Sequence, residues 1–260
     1  MVKGVSIKLI SYEETVPKLL KLIKFDNVLK KHKSIVIKPF LNVDSSKSSN
    51  ISYITELVKF CSHNMAPRTE LFIADGVDGA DTFDVFDSQG YKKVAENYGV
   101  GLIDLNKAEC EAIGKNEFVG FDNIYYPSVL SSSFVIAAPS VRDDERFGIN
   151  GALASMNGAF PSSYYKGFFS SRKNKLDSYQ LKHQVHDIAL CKLPDFALLD
   201  INKKGVLLAG QPIEMDKQAA KLFGIDWKTI GYLRMLEETL TGIAQQTEKK
   251  QAEAGEQQVF

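Results

Sequence analysis

A chain of 260 residues with 44% apolar and 25% charged side chains has ample material for a core and is neither disordered nor fibrous by composition. Lys plus Arg and Asp plus Glu number 32 each, so no net field gathers a polyanion, and the densest basic stretches, Lys30 to Lys33 and Arg172 to Lys175, read as solvated side chains beside element ends; nucleic acid is not an expected partner. Cys61, Cys110 and Cys191 lie far apart with no C-x-x-C pair, which excludes an iron–sulphur cluster or four-thiolate zinc held by this chain alone; with no apolar run of signal-peptide or membrane-spanning length, the expectation is the reducing cytoplasm and no membrane partner.

Short β-branched runs alternate with segments of helical period. This is the pattern of a mostly parallel sheet covered by helices on both faces, a three-layer α/β domain expected over 1–246, with a polar, flexible tail at 247–260. The first strand is expected at Val5 to Ile10. Val16, Leu19, Leu20, Ile23 and Val28 then mark a helix, with Thr15 as its N-cap and Pro17 in its first turn. A strand at Ser34 to Lys38 leads to a helix whose stripe is Ile51, Ile54, Leu57, Val58 and Cys61, stopping near Asn64 before Pro67. Strands at Leu71 to Asp75 and Gly101 to Leu105 bracket a helix carrying Val94, Ala95 and Tyr98, closed by Gly99 in the left-handed cap conformation.

Ser133 to Ala137 is the fifth strand. A helix around Ser178 to Leu190 precedes strands at Phe196 to Ile201 and Val206 to Ala209, and a closing helix from Asp226 carries Trp227, Ile230, Leu233, Leu236, Leu240 and Ile243 at helical spacing. IVIKP, LFIAD, SFVIAAP and FALLD are nearly continuous apolar runs, which suits strands buried on both faces. The stretch from Pro139 to Asp177 breaks the rhythm with RDDER, GINGALASMNGAFP and SSYYKGFFSS. It is read as an inserted irregular or helical segment, either a lid and binding face or a small helical subdomain with its helix at Ile149 to Ala159.

In open parallel sheets ligands bind outside the carboxyl ends of the strands, where helix N-termini converge. Residues just past the strand ends are therefore the candidates. Lys38 ends a buried strand, where an ammonium must reach water or an anion, and Pro39 takes the chain out of the sheet. Asp75, Asp78 and Asp81, spaced by three with glycines between, could aim two carboxylates at a hard divalent cation or simply form a strand-to-helix turn, with Asp81 or Thr82 as the next N-cap. His183 and His186 lie three apart on one helix face, without the intervening glutamate of HExxH. Gly148, Gly151 and Gly158 form neither G-x-G-x-x-G nor a P-loop, and no G-x-S-x-G elbow is present.

The order of pieces resembles domain-of-unknown-function family 362, α/β proteins often described as iron–sulphur-associated. The resemblance spans roughly Ser34 to Tyr232. It rests on IVIKPFLN at 35–42, LFIADG at 71–76, YGVGLIDLN at 98–106, PSVLSSSFVIAAPSV at 127–141, FGINGALASMNGAFP at 147–161, a histidine-bearing helix before PDFALLDI at 194–201, and LLAGQPIEMDKQAAKLFGID at 207–226. Where the family carries Lys-Thr-His after the fifth strand, this chain has Arg142-Asp143-Asp144; where it carries Lys-Asn in the small-residue helix, here stand Ala154 and Ser155. An Asp-Pro-x-Ala-x-Asp pattern survives only in Asp216, and the ferredoxin-like cysteine module of many relatives is absent. The resemblance implies an α/β fold and a site drawn from Lys38, Asp75, His183 or His186, and Asp216, with Arg142 standing in for a missing lysine.

The expected function is binding of a small anionic molecule or a metal at the strand ends, the reaction and cofactor being unknown. Lys38, Asn42, Arg142 and Asn150 are the expected ligand-binding residues, and Asp75 and Asp78 would hold a possible divalent metal. Asp216 would act as a base, and His183 or His186 as proton carrier. The alternative is a non-catalytic interaction module in which the family site has decayed and Tyr164, Tyr165, Phe168 and Phe169 bind a protein partner.

Overall fold

The computed structural model describes residues 4–256. Seven strands form one sheet in the order β1-β11-β10-β7-β2-β3-β4. They are β1 (Val5–Lys8), β2 (Ser34–Lys38), β3 (Glu70–Asp75), β4 (Gly101–Asp104), β7 (Phe134–Ala137), β10 (Phe196–Ile201) and β11 (Val206–Gly210). The five strands from β10 to β4 pair in parallel, while β11 and β1 extend the sheet antiparallel. Each corresponds to a run predicted from the sequence. Two small hairpins lie outside this sheet, β5 (Cys110–Ile113) with β6 (Ile124–Pro127), and β8 (Asp143–Asp144) with β9 (Gly148–Ile149).

The continuous apolar runs are explained by burial on both faces. Ile35 and Ile37 of β2 pack with α1 (Tyr12–Leu22), α2 (Phe25–Leu29), α3 (Ile51–Asn64), α4 (Thr82–Ser88) and α5 (Tyr91–Tyr98) through Leu19, Phe25, Leu57, Phe86 and Val94. Val36, between them, faces the other way with Ala74, Val135, Met156 and Ile188. That second face is covered by α6 (Ser128–Ser132), α7 (Ala152–Ser155), α8 (Ser162–Tyr165), α9 (Leu181–Cys191), α10 (Pro212–Leu222) and α11 (Gly231–Glu256). Strand residues in successive positions thus feed separate cores, and neither face can carry charge without a partner.

Local chemistry sets the helix ends. Asn50 caps α3 by accepting from the Ser52 and Tyr53 amides, Asp81 caps α4, and Gly99 (φ 64°) closes α5 in the left-handed region, as its lack of Cβ allows. The first helix corrects the expectation of a Thr15 cap. Ser11 is the N-cap, its hydroxyl accepting from the Glu14 amide, and buried Thr15 accepts from the Ile10 amide instead. Pro17 therefore lies inside the helix, where the carbonyl it leaves unpaired belongs to exposed Glu13. The helix also stops before Val28, because Lys24 takes a left-handed turn (φ 55°) into α2.

The segment after β7 is built from short pieces, the β8–β9 hairpin, α7 continued by a 3-10 turn at Met156–Ala159, α8, and a 3-10 turn at Asn174–Ser178. It folds back across the carboxyl ends of β2 and β3. The backbone of the expected tail is helical as far as Glu256, and 257–260 lie outside the described residues. Among the described residues no helix is long and apolar enough to cross a membrane.

Candidate functional site

Lys38 and Asp75 end the neighbouring strands β2 and β3, with side chains 0% and 2% exposed. The ammonium donates to Asp75 Oδ1 (2.7 Å) and to the carbonyls of Ser155 (2.7 Å) and Pro39 (3.3 Å), so each of its three protons has an acceptor. Asp75 in turn accepts from the Gly76 amide at Oδ1 (2.9 Å) and the Leu41 amide at Oδ2 (2.8 Å). The pair acts as a clasp for the inserted segment. A Cβ on Gly158 would sit 2.0 Å from Asp75 Oδ1 and 2.8 Å from Lys38 Nζ, so only glycine lets that backbone rest on the ion pair.

Beside the clasp opens a cleft of about 200 Å³, walled by Phe40 and Asn42 after β2, Asp75 and Asp78 after β3, and Gly158, Lys173 and Gln184 from the segment and the start of α9. Lys173 is 5% exposed, which overturns its reading as a solvated side chain. Its ammonium donates to the carbonyls of Gly76 (2.9 Å) and Gly158 (3.4 Å), and its amide donates to Asp78 Oδ1 (2.6 Å). Arg172 meets the other oxygen of Asp78 at 3.4 Å, and buried Asp104 is met by Lys107 at 3.5 Å. Lys38 therefore has a carboxylate partner, whereas the Lys173 ammonium bonds only to carbonyl oxygens and forms no ion pair among the described residues. Burial pushes the Lys173 ammonium down to about 8, against the pull of Asp75 and Asp78. On the far wall the Asn157 amide lies 3.5 Å from Gln184 Oε1, and buried Asn157 Oδ1 has no donor among the described residues.

The other candidates are dispersed. Arg142 lies beyond the Phe40 ring, its guanidinium 5.4 Å from the ring centroid, in a second cleft of about 290 Å³. The Asn150 amide donates to the Arg142 carbonyl, and its side chain is buried away from either cleft. Asp216 is fully buried at the start of α7, accepting from the amides of Ala152 (2.7 Å) and Leu153 (3.0 Å); Gly151 approaches so closely that a Cβ would lie 2.3 Å from its Oδ1. Burial raises this carboxyl to about 7 despite the two amides.

His183 and His186 do not converge on one ligand. His186 is enclosed between Asp187 (Nδ1 to Oδ1, 2.6 Å) and Thr239 (Nε2 to Oγ1, 3.0 Å), while half-buried His183 packs by Gly120. Asp187 also accepts from the amides of Val119, Gly120 and Phe121, so this network ties α9 to α11 and to the loop before β6. Among the described residues no group of three or more His, Cys, Asp or Glu side chains gathers as a metal site. Asp75 and Asp78 face cations of the protein itself.

Of the aromatic group, Tyr165 is buried and Tyr164 stacks on Tyr125 with centroids 4.0 Å apart. Phe168 and Phe169, by contrast, are 95% and 98% exposed. Sequence reasoning missed Lys173 because a lysine amid Arg172 and Lys175 has no local mark of burial; the carbonyls that meet it belong to Gly76 and Gly158, 97 and 15 residues away.

A family model described as "Domain of unknown function (DUF362)" matches residues 35–219, which span β2 through most of α10 and include both clefts. No curated protein matches the chain.

Proposed function

Because the chain belongs to the DUF362 family, whose description assigns no reaction, we propose a function from the geometry of the Lys173 cleft: it binds a small anionic molecule at the carboxyl edge of the sheet. The observation that carries this reading is the buried Lys173 ammonium, which bonds to two carbonyl oxygens and to no carboxylate among the described residues. A buried charge without a counterion is costly and is relieved either by losing the proton or by admitting an anion. Lys173 is the partner for that anion, since Lys38 has its three acceptors already. Asn42, Asn157 and Gln184 supply polar groups around it, and a lysine brought near neutral pH can also carry a proton for a bound substrate. The metal reading is less favoured, because each carboxylate it needs already meets a cation.

Thermal melts with inorganic phosphate, sulfate and succinate, none of which carries an alcohol hydroxyl, test the proposal. At least one of these anions should raise the melting temperature of the wild type and leave Lys173→Met unmoved. Equal shifts in both proteins, or none in the wild type, would reject it.

The second reading, a protein-binding module, is favoured by Phe168 and Phe169, whose rings pack on each other at 4.9 Å and on little else. Two phenylalanines held in water are an exposed apolar feature of the kind interfaces use. The three free cysteines suit a cytoplasmic setting for either reading.

A further inference from the structure

We propose that the chain has a second ligand site, independent of the Lys173 cleft, where the connections of the sheet change direction, and that it takes a compact organic oxyanion bearing a hydroxyl or ammonium donor. From β2 the chain moves to β3 and β4 on one side; from β7 it moves to β10 on the other. β2 and β7 are adjacent and parallel, so the loops leaving their carboxyl ends part and open a crevice between them, the place where doubly wound sheets hold ligands. The 290 Å³ cleft lies there. Ser45 and Asn50 reach it from β2, Ser140 and Arg142 from β7, and Asp200 and Lys203 from β10 and the turn after it.

Two groups in it lack what their chemistry requires. Arg142 is half-buried, so its guanidinium has lost part of its water, and burial lowers its affinity for a proton. It rests on Phe40 but forms no ion pair among the described residues, Asp44 and Asp144 acting only at longer range. A planar guanidinium in that state matches the two oxygens of a carboxylate or phosphate. The N-terminus of the 14-residue α3 adds positive potential, although Asn50 already takes its Ser52 and Tyr53 amides.

Asp200 is the second group. It is 1% exposed, and its Oδ2 accepts from the hydroxyls of Tyr12 (3.0 Å) and Ser140 (2.7 Å). Its Oδ1 is buried with no donor among the described residues, and burial raises the carboxyl accordingly. A ligand donor reaching this oxygen would supply the missing bond, while the ligand's oxyanion met Arg142. Lys203 at the rim pairs with Asp143 at 3.1 Å and is exposed enough to turn inward.

Calorimetric titration of two probe pairs tests the site. Lactate is compared with propionate, and glycerol 3-phosphate with propyl phosphate, so the pairs differ by hydroxyls and the two arms separate carboxylate from phosphate. At least one hydroxylated probe should bind saturably and roughly tenfold more tightly than its partner. Arg142→Gln should weaken it by about tenfold or more, and the preference for the hydroxylated probe should persist in Lys173→Met, where the first cleft cannot contribute. Asp200→Asn should abolish the preference for the hydroxyl; should that variant fail to fold by circular dichroism, the paired affinities of the wild type still read the donor. No saturable binding of any probe, equal affinities within both pairs, indifference to Arg142→Gln, or loss of the preference in Lys173→Met would each overturn the proposal. Because the Lys173 cleft is assayed by Lys173→Met alone, the two sites can fail separately.

Discussion

Lys38 Nζ and Asp75 Oδ1 meet 2.7 Å apart with both side chains at or below 2% exposure, one at the end of β2 and the other at the end of the neighbouring β3. The contact holds the strand ends together, and through the Ser155 carbonyl and the close approach of Gly158 it seats the inserted segment on the sheet. The cleft beside it exists because that seat exists.

Removing one partner should therefore cost stability first. In Lys38→Ala, Asp75 keeps the amides of Leu41 and Gly76 but loses its counterion, and the Ser155 carbonyl loses its donor. Chemical denaturation should show a loss of about 3 to 5 kcal/mol. A loss below about 1 kcal/mol would mean that the ammonium reaches water in solution.

Gly158→Ala tests the seat rather than the charge. The added methyl meets a carboxylate oxygen and an ammonium that have nowhere to withdraw. The expected cost is about 2 to 4 kcal/mol, with greater protease sensitivity within 150–175 than elsewhere. Wild-type stability for this variant would show that the segment sits farther from the ion pair.

Asp216 should leave a signature in the pH dependence of stability. Its folded carboxyl is raised from 3.8 to about 7, so between these values the native state keeps a proton that the unfolded chain has released. Stability must then fall as pH rises from about 4 to about 7 and level off above, by on the order of 4 kcal/mol for this group. Asp216→Asn, which cannot ionise, should lack this descent and be less stable at pH 4 by about 1 to 3 kcal/mol, because its amide opposes one of the two backbone donors. Identical slopes in the two proteins would assign the carboxyl an ordinary pKa.

The pH dependence of anion binding should have the opposite origin. Lys173 is lowered from 10.5 to about 8 in the free protein, and an anion in the cleft favours its charged form. Affinity should fall as pH rises through 8, by roughly tenfold for each unit above it until the bound-state value is reached. In the absence of ligand the sign reverses for stability, which should rise from about 8 to 10.5 as the unfolded chain gives up the proton that native Lys173 has already lost. Affinity that is flat from pH 7 to 9 would remove Lys173 from the site.

The sheet and its covering are legible in the local sequence. Continuous runs such as IVIK and LFIAD can only be buried on both faces, and Asn50 and Gly99 mark helix ends through chemistry within a few residues of the boundary. The first cap was already less legible, since Ser11 and Thr15 both carry the required hydroxyl and only the packing of buried Thr15 decides between them. The site was legible as a region, the strand ends, and not as a set of partners. Lys38 finds Asp75 37 residues away and Ser155 117 residues away. Lys173 donates to the carbonyls of Gly76 and Gly158, and Arg142 rests on Phe40 in a separate cleft. Asp216, expected at a ligand, caps α7. Hydrophobic period and capping act over a few residues and are written in the local sequence, whereas the electrostatic state of a buried charge depends on which distant carbonyls and carboxylates surround it, and only the folded chain decides that.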